Sequence, residues 1–173
     1  MNWLTSKNPV LAAAALLAIA AAACAGWFGW SWQTAAHSSA LSISRDRDAV
    51  LQDAEQGVLN FNTLNYHNAS AGLRLWLDSS TGSLHSQLSS DLQQEIQAVQ
   101  QKKTITTAKI LDGAVTQLDT GAGTASVMVA VVVTVTPAKG SPLTERESEV
   151  GQLTRTPSGW KLSALGYPSA PAS

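Results

Sequence analysis

The chain has 173 residues, a formal net charge of −1 and one cysteine, Cys24. Near-neutral charge without a stripe of lysine or arginine excludes a nucleic-acid footprint, and a lone cysteine excludes an internal disulfide framework or a thiolate metal centre. The remainder of the chain beyond its apolar leader is long enough for one domain that buries its own core.

Residues 1–9 read as a short stub in which Lys7 is the one charged side chain and Trp3 sits at an interface. From Val10 to Trp30 the chain carries no charged residue. As a helix, such a run of 21 residues would span about 31 Å, close to the ~30 Å hydrocarbon thickness of a bilayer. Trp27, Trp30 and Trp32 crowd its far end, as an interfacial belt does. These features predict a retained single-pass helix over 10–31. Three other readings compete: a cleaved secretory signal, which the small residues would allow; a lipoprotein modified at Cys24; and a buried core helix. The usual apolar h-region is shorter than this one. A branched residue normally stands three before a lipobox cysteine, where this chain has Ala21. A core helix would carry more polar punctuation. Lys7 before the span and no lysine or arginine from Gln33 to Ser44 place the N-terminus in the cytoplasm and the domain beyond the span outside.

Residues 32–43 are small and polar and read as a tether, with His37 solvated. From Ser44 the pattern changes. Val50, Ala54, Val58, Phe61 and Leu64 recur at helical spacing, and Ser44 is the expected N-cap, with Asp46 and Asp48 in the first turn. Gly57 inside this helix costs about 1 kcal/mol relative to alanine, which calls for a close neighbour. Asn68 or Ser70 starts a second helix carrying Leu73, Trp76 and Leu77, ending near Thr81-Gly82. A third, from about Ser83 to Lys103, has Leu84, Leu88, Leu92, Ile96 and Val99 on one side.

After Thr104 the period becomes two. The segment 104–118 reads as a strand with a bend at Gly113, and Asp119–Gly123 as a turn. In 124–136, Val127, Val129, Val131, Val133 and Val135 face one way, and Met128, Ala130 and Val132 the other, which predicts a central strand. The next strand carries Glu145, Arg146, Glu147 and Glu149 and reads as solvated on at least one face. In the last, Trp160, Leu162 and Ala164 are expected to point inward. Helices segregated from strands mean an α+β fold: behind the membrane helix, three helices packed on a curved four-stranded antiparallel sheet. The expected organisation is a stub (1–9), a span (10–31), a tether (32–43), an extracytoplasmic domain (44–167) and a flexible tail (168–173).

The apolar span, the tether, the helix end at Thr81-Gly82, Lys102-Lys103, the valine-rich strand and the closing Gly159-Trp160 strand together resemble the Mce-associated membrane proteins of actinobacteria. That resemblance covers residues 10–167. It implies a cone-like domain similar to nuclear transport factor, and an accessory subunit of Mce systems, which import lipids or sterols. It brings no catalytic motif. The acidic residue often found soon after the tryptophan is missing, since Ser163-Ala164 stand there.

A cone can also enclose a pocket. Tyr66, Trp76, Asp78 and Trp160 are the candidate pocket-lining residues, with His67 and His85 as further polar groups. An enzyme would need one of these as a base tuned near neutral pH inside an apolar cavity. Surface placement of the polar groups and core placement of the tryptophans are the plainer readings. His37, His67 and His85 fall in three separate segments without metal-ligand spacing, and no phosphate loop, dinucleotide fingerprint or nucleophile elbow is present. No cofactor, metal or nucleic acid is expected. Met128, Ala130 and Val132 form a candidate interaction face, because exposed apolar patches mark interfaces. The expected function is therefore a membrane-anchored, non-catalytic scaffold whose partners are the bilayer and Mce transporter subunits. The alternatives are a lipid- or small-ligand-binding domain and a cone-fold dehydratase or isomerase.

Overall fold

In the computed structural model, residues 41–168 are described; the expected span at 10–31 lies outside them, as do Cys24 and His37. Among the described residues no helix is long and apolar enough to cross a membrane. The chain divides into two compact units, Met1–Ser44 and Arg45–Ser173. Of the first, residues 41–44 are described and are helical.

Among the described residues, helix α1 covers 41–61. Ser44, expected to cap it, lies within it, because no glycine or proline interrupts residues 41–44. On its inner stripe Val50, Ala54 and Val58 are fully buried at four-residue steps, the spacing that keeps side chains on one face. A two-residue strand β1 (Leu64–Asn65) and a 3-10 turn (Tyr66–Asn68) lead into α2 (Ala69–Ser79) and α3 (Gly82–Lys102). Lys103 ends α3 in a left-handed conformation, φ 52°, its N–H donating to Val99 O at 3.2 Å. Of the apolar stripe on α3, Val99 is buried while Leu84, Leu88, Leu92 and Ile96 stay half-exposed.

Strands β2 (Thr104–Asp119), β3 (Thr124–Pro137), β4 (Leu143–Thr156) and β5 (Gly159–Gly166) complete the domain. The sheet is antiparallel in the order β1-β2-β3-β4-β5. It thus has five strands where four were expected, since two residues are too few to show a period of two. β3 is central, as its two partly apolar faces required. Register shifts at Ile110/Asp112 and Val115/Gln117 mark bulges in β2, and the shift between Gln152/Leu153 leaves Ser163 of β5 as the extra residue; such bulges bend strands and add twist. The last of them has a visible consequence. It places Leu162 opposite Leu153 and Ala164 opposite Gln152, so the alternation slips by one. Ala164, expected inward, is exposed, and Leu165 packs against the core instead.

The core lies between α1 and the concave side of the sheet. Val127, Val129 and Val131 of β3 are fully buried there together with Leu153, Trp160 and Leu162. Leu162 is wedged between two glycines. A Cβ on Gly57 of α1 would stand 2.8 Å from its Cδ1, and one on Gly151 of β4 would stand 3.0 Å from its Cδ2. The glycine that weakens α1 thereby admits the leucine that joins helix to sheet.

Both sheet edges are guarded. Along β5, the α2–α3 corner adds a parallel bridge from Ser80 to Leu162, and Thr81 N–H donates to Leu162 O at 2.8 Å. Along β2, β1 covers Ile105 and Thr106, two bulges distort the remainder, and the Arg47 guanidinium donates to Val115 O at 2.8 Å.

Candidate functional site

Alternation along β4 puts Glu145, Glu147, Glu149, Gly151 and Leu153 on the side that faces the core. Glu149 lies opposite Val129 in the register and is only 6% exposed. The amide Nδ2 of Asn62, just past the end of α1, donates to both its carboxylate oxygens, at 3.0 and 3.1 Å, and also to Val58 O at 3.0 Å. With one of its two N–H bonds directed at Val58 O, that amide has a single proton for both carboxylate oxygens. Burial pushes the Glu149 carboxyl above its ordinary range; the Asn62 hydrogen bond opposes this, and the Glu147 carboxylate adds to it. Farther out, the Tyr167 hydroxyl donates to Glu147 Oε2 at 2.8 Å, which raises the phenol above its usual value. By residue type Glu149 groups with the solvated acids of its strand. Its shared parity with Leu153, two strand steps away, is the sequence signal that it points inward.

The expected pocket-lining residues do not converge. Tyr66 lies in the 3-10 turn, with its ring 3.9 Å from that of His67. Trp76 stacks on Phe61 at 5.3 Å, and its Nε1–H donates to Asn60 O at 2.8 Å. It lines an open groove of about 270 Å³ between α2 and α3. Asp78, exposed on α2, and the buried Trp160 share a different cleft of about 170 Å³ with Asp53 and Lys161. In that cleft Asp53 Oδ2 accepts the Trp160 N–H at 2.8 Å, so its carboxylate holds the β4–β5 turn. His85 closes the α2–α3 corner, with Nδ1 3.0 Å from Leu77 O and 3.3 Å from Ser80 Oγ. His67 and His85 are both exposed, and among the described residues no group of three histidines or acids could hold a metal.

The outward side of the sheet carries the candidate interaction face. Met128 is 43% exposed there, and Ala130 and Val132 are half-buried beside it. Exposed Leu111, the extra residue of a β2 bulge, adds a large apolar side chain on the neighbouring strand. In the register Val132 lies between Lys109 of β2 and Arg146 of β4, both exposed. Two strand spacings of about 4.8 Å separate those cations. An apolar strip with a cationic end is a surface for contact.

Comparison with solved structures bears on this architecture. An IcmL-like type IV secretion system protein from Legionella pneumophila superposes with a TM-score of 0.57 at 14% identity, covering 73% of this chain and 96% of that one. The periplasmic domain of DotI gives 0.52 at 23% identity, covering 69% and 94%. CagV, a VirB8 homolog of the type IV secretion system of Helicobacter pylori, gives 0.53 at 11% identity, covering 69% and 95%. At these identities the likeness is one of fold, an α+β arrangement of helices on an antiparallel sheet. No curated protein matches the chain. The family model described as "Uncharacterized protein Rv1363c/MT1408-like" matches residues 8–159, and the chain belongs to that family.

Proposed function

We propose that this protein is a membrane-anchored, non-catalytic accessory subunit of an actinobacterial envelope transporter, of the Mce type that imports lipids or sterols. Residues 10–31 hold it in the bilayer with the N-terminus cytoplasmic. Residues 32–43, the last three of them already in α1, tether the domain 44–167 outside, and 168–173 form a tail. The observation that carries this reading is the outward strip of exposed Met128 and half-buried Ala130 and Val132, apolar side chains on the side away from the core. Two further points support it. The family match begins at residue 8, ahead of the apolar run, and continues to residue 159, so run and domain belong to one family unit. Of the three solved structures compared above, one is described as a periplasmic domain and two as type IV secretion system components. Anchoring confines the domain to the membrane plane and raises its effective concentration near a membrane partner, so a small strip can suffice.

The experiment is a pull-down of the full chain with its anchor intact, read by mass spectrometry beside a Met128→Asp/Val132→Asp variant. Subunits of a lipid importer should be recovered with the parent and lost with the variant. A chain that begins past Trp32 and floats free of vesicles would defeat the proposal, as would equal recovery by both proteins.

A further inference from the structure

Amphipathic helices normally bury the apolar stripe they carry. α3 does not complete this: Leu84, Leu88, Leu92 and Ile96 stay half-exposed, and the first two of them line the open groove it forms with α2. Trp76, held from behind by Phe61 and by its bond to Asn60 O, supplies one wall. Leu84 and Leu88 supply the floor, both half-exposed, while Gln87, Asp91 and Glu95 form the polar margin. Leu84, Leu88, Asp91 and Glu95 succeed one another at steps of four, three and four, so they run along one line of the helix. From Leu84 to Glu95 that line is about 16 Å long, three turns. The groove's volume of about 270 Å³ lies below the ~300–1,000 Å³ of cofactor and drug-sized sites. It is open along its length and suits a row of side chains better than an enclosed small molecule.

We propose that the α2–α3 groove is a second docking site, distinct from the outward strip of the sheet, and that it receives a basic amphipathic helix from a protein partner. The apolar side chains of that helix, spaced at i, i+3/i+4 and i+7, enter between Trp76 and the Leu84/Leu88 floor, which is helix-in-groove recognition. Its lysines or arginines meet Asp91 and Glu95, both of which are exposed, and no ion pair to either is present among the described residues. Two carboxylates one turn apart on the same margin select for cations at the matching spacing, and they repel an acidic helix of equal hydrophobicity.

The probe is a synthetic helix of about 18 residues with leucines on one face and lysines on the other. It carries a photocrosslinker on the apolar face, and a twin peptide replaces every lysine by glutamate. Both are added to the full chain in a neutral detergent. The lysine peptide should crosslink to Trp76 and to α3 between Leu84 and Glu95. Asp91→Lys/Glu95→Lys should cut that yield about tenfold and shift the preference to the glutamate peptide. Both substitutions are at exposed positions, so an unchanged thermal melt separates loss of binding from loss of fold. Crosslinks outside the groove, or a yield indifferent to the charge reversal, would overturn the proposal. So would sedimentation showing that two copies of the chain pair through this face and that the reversal splits them.

Discussion

Substituting Gly57 by alanine sets two known effects against each other at one position. Alanine is a better helix former than glycine by about 1 kcal/mol, so an exposed site on α1 would gain stability. Gly57 is buried, however, and the new methyl would stand 2.8 Å from Leu162 Cδ1 and 3.2 Å from its Cγ. Leu162 is itself fully buried in the core cluster, so it has little empty space into which to retreat. Overfilling a packed core costs about 1–3 kcal/mol, so Gly57→Ala should destabilise by about 0–2 kcal/mol net. Leu162→Ala alone should cost about 2–5 kcal/mol through the cavity it leaves. In that background the clash is gone and Gly57→Ala should stabilise by about 1 kcal/mol. Urea unfolding of the four proteins, monitored by far-ultraviolet circular dichroism, gives the coupling directly, with an expected value of about 1–3 kcal/mol. If Gly57→Ala stabilises the parent, or has the same effect in both backgrounds, the wedge around Leu162 does not govern the joint between helix and sheet.

Because the folded Glu149 carboxyl is raised above its unfolded value, it contributes most below the ordinary carboxylate pKa, and that contribution is lost as pH rises through the folded value. Glu149→Gln should therefore raise the melting temperature near neutral pH and lose its advantage toward about pH 4; an unchanged pH profile would contradict the burial argument. Asp53→Ala strands the Trp160 N–H in a partly buried turn and should cost about 1–3 kcal/mol. Arg155→Ala removes the 2.8 Å ion pair with Asp46 and a contact 5.3 Å over the Trp160 ring. That pair is half in water, so the loss should stay below about 1 kcal/mol, and urea midpoints in the reverse order would be inconsistent with it. Gly159→Ala forces a side chain into φ +112°, with its Cβ 2.9 Å from Asp53 Oδ2; thermal unfolding should show a loss of about 1–3 kcal/mol.

The α+β class, the three helices and the central place of β3 are legible in the sequence because each rests on many residues in one period. The stripe Val50, Ala54, Val58 and the alternation from Val127 to Val133 each repeat often enough to fix a face. Features that rest on one or two residues are not legible. β1 has too little length for a pattern. The bulge at Ser163 turns Ala164 outward, and one extra residue in a short strand leaves no mark on the alternation read from Trp160 and Leu162. Glu149 reads as solvated by its chemistry, although its parity with Leu153 points inward; the Asn62 amide that tempers its burial is 87 residues away. Trp76 and Trp160 group together by residue type, whereas the chain path gives one to a groove and the other to the core. Gly57 is the opposite case: its cost inside a helix predicts a close neighbour, and Leu162 is that neighbour.

The guarded rims of the sheet limit how this molecule can be built into anything larger. On one flank the Leu162 carbonyl, midway along β5, is already taken by the α2–α3 corner at Ser80 and Thr81. On the other, two bulges kink β2 and Arg47 claims the Val115 carbonyl. Such rims resist growth by strand addition, the route by which soluble sheets turn into fibres. Neighbours must therefore approach broadside, reading side chains and not main chain. Assembly is thus left under the control of residues that can be altered one at a time.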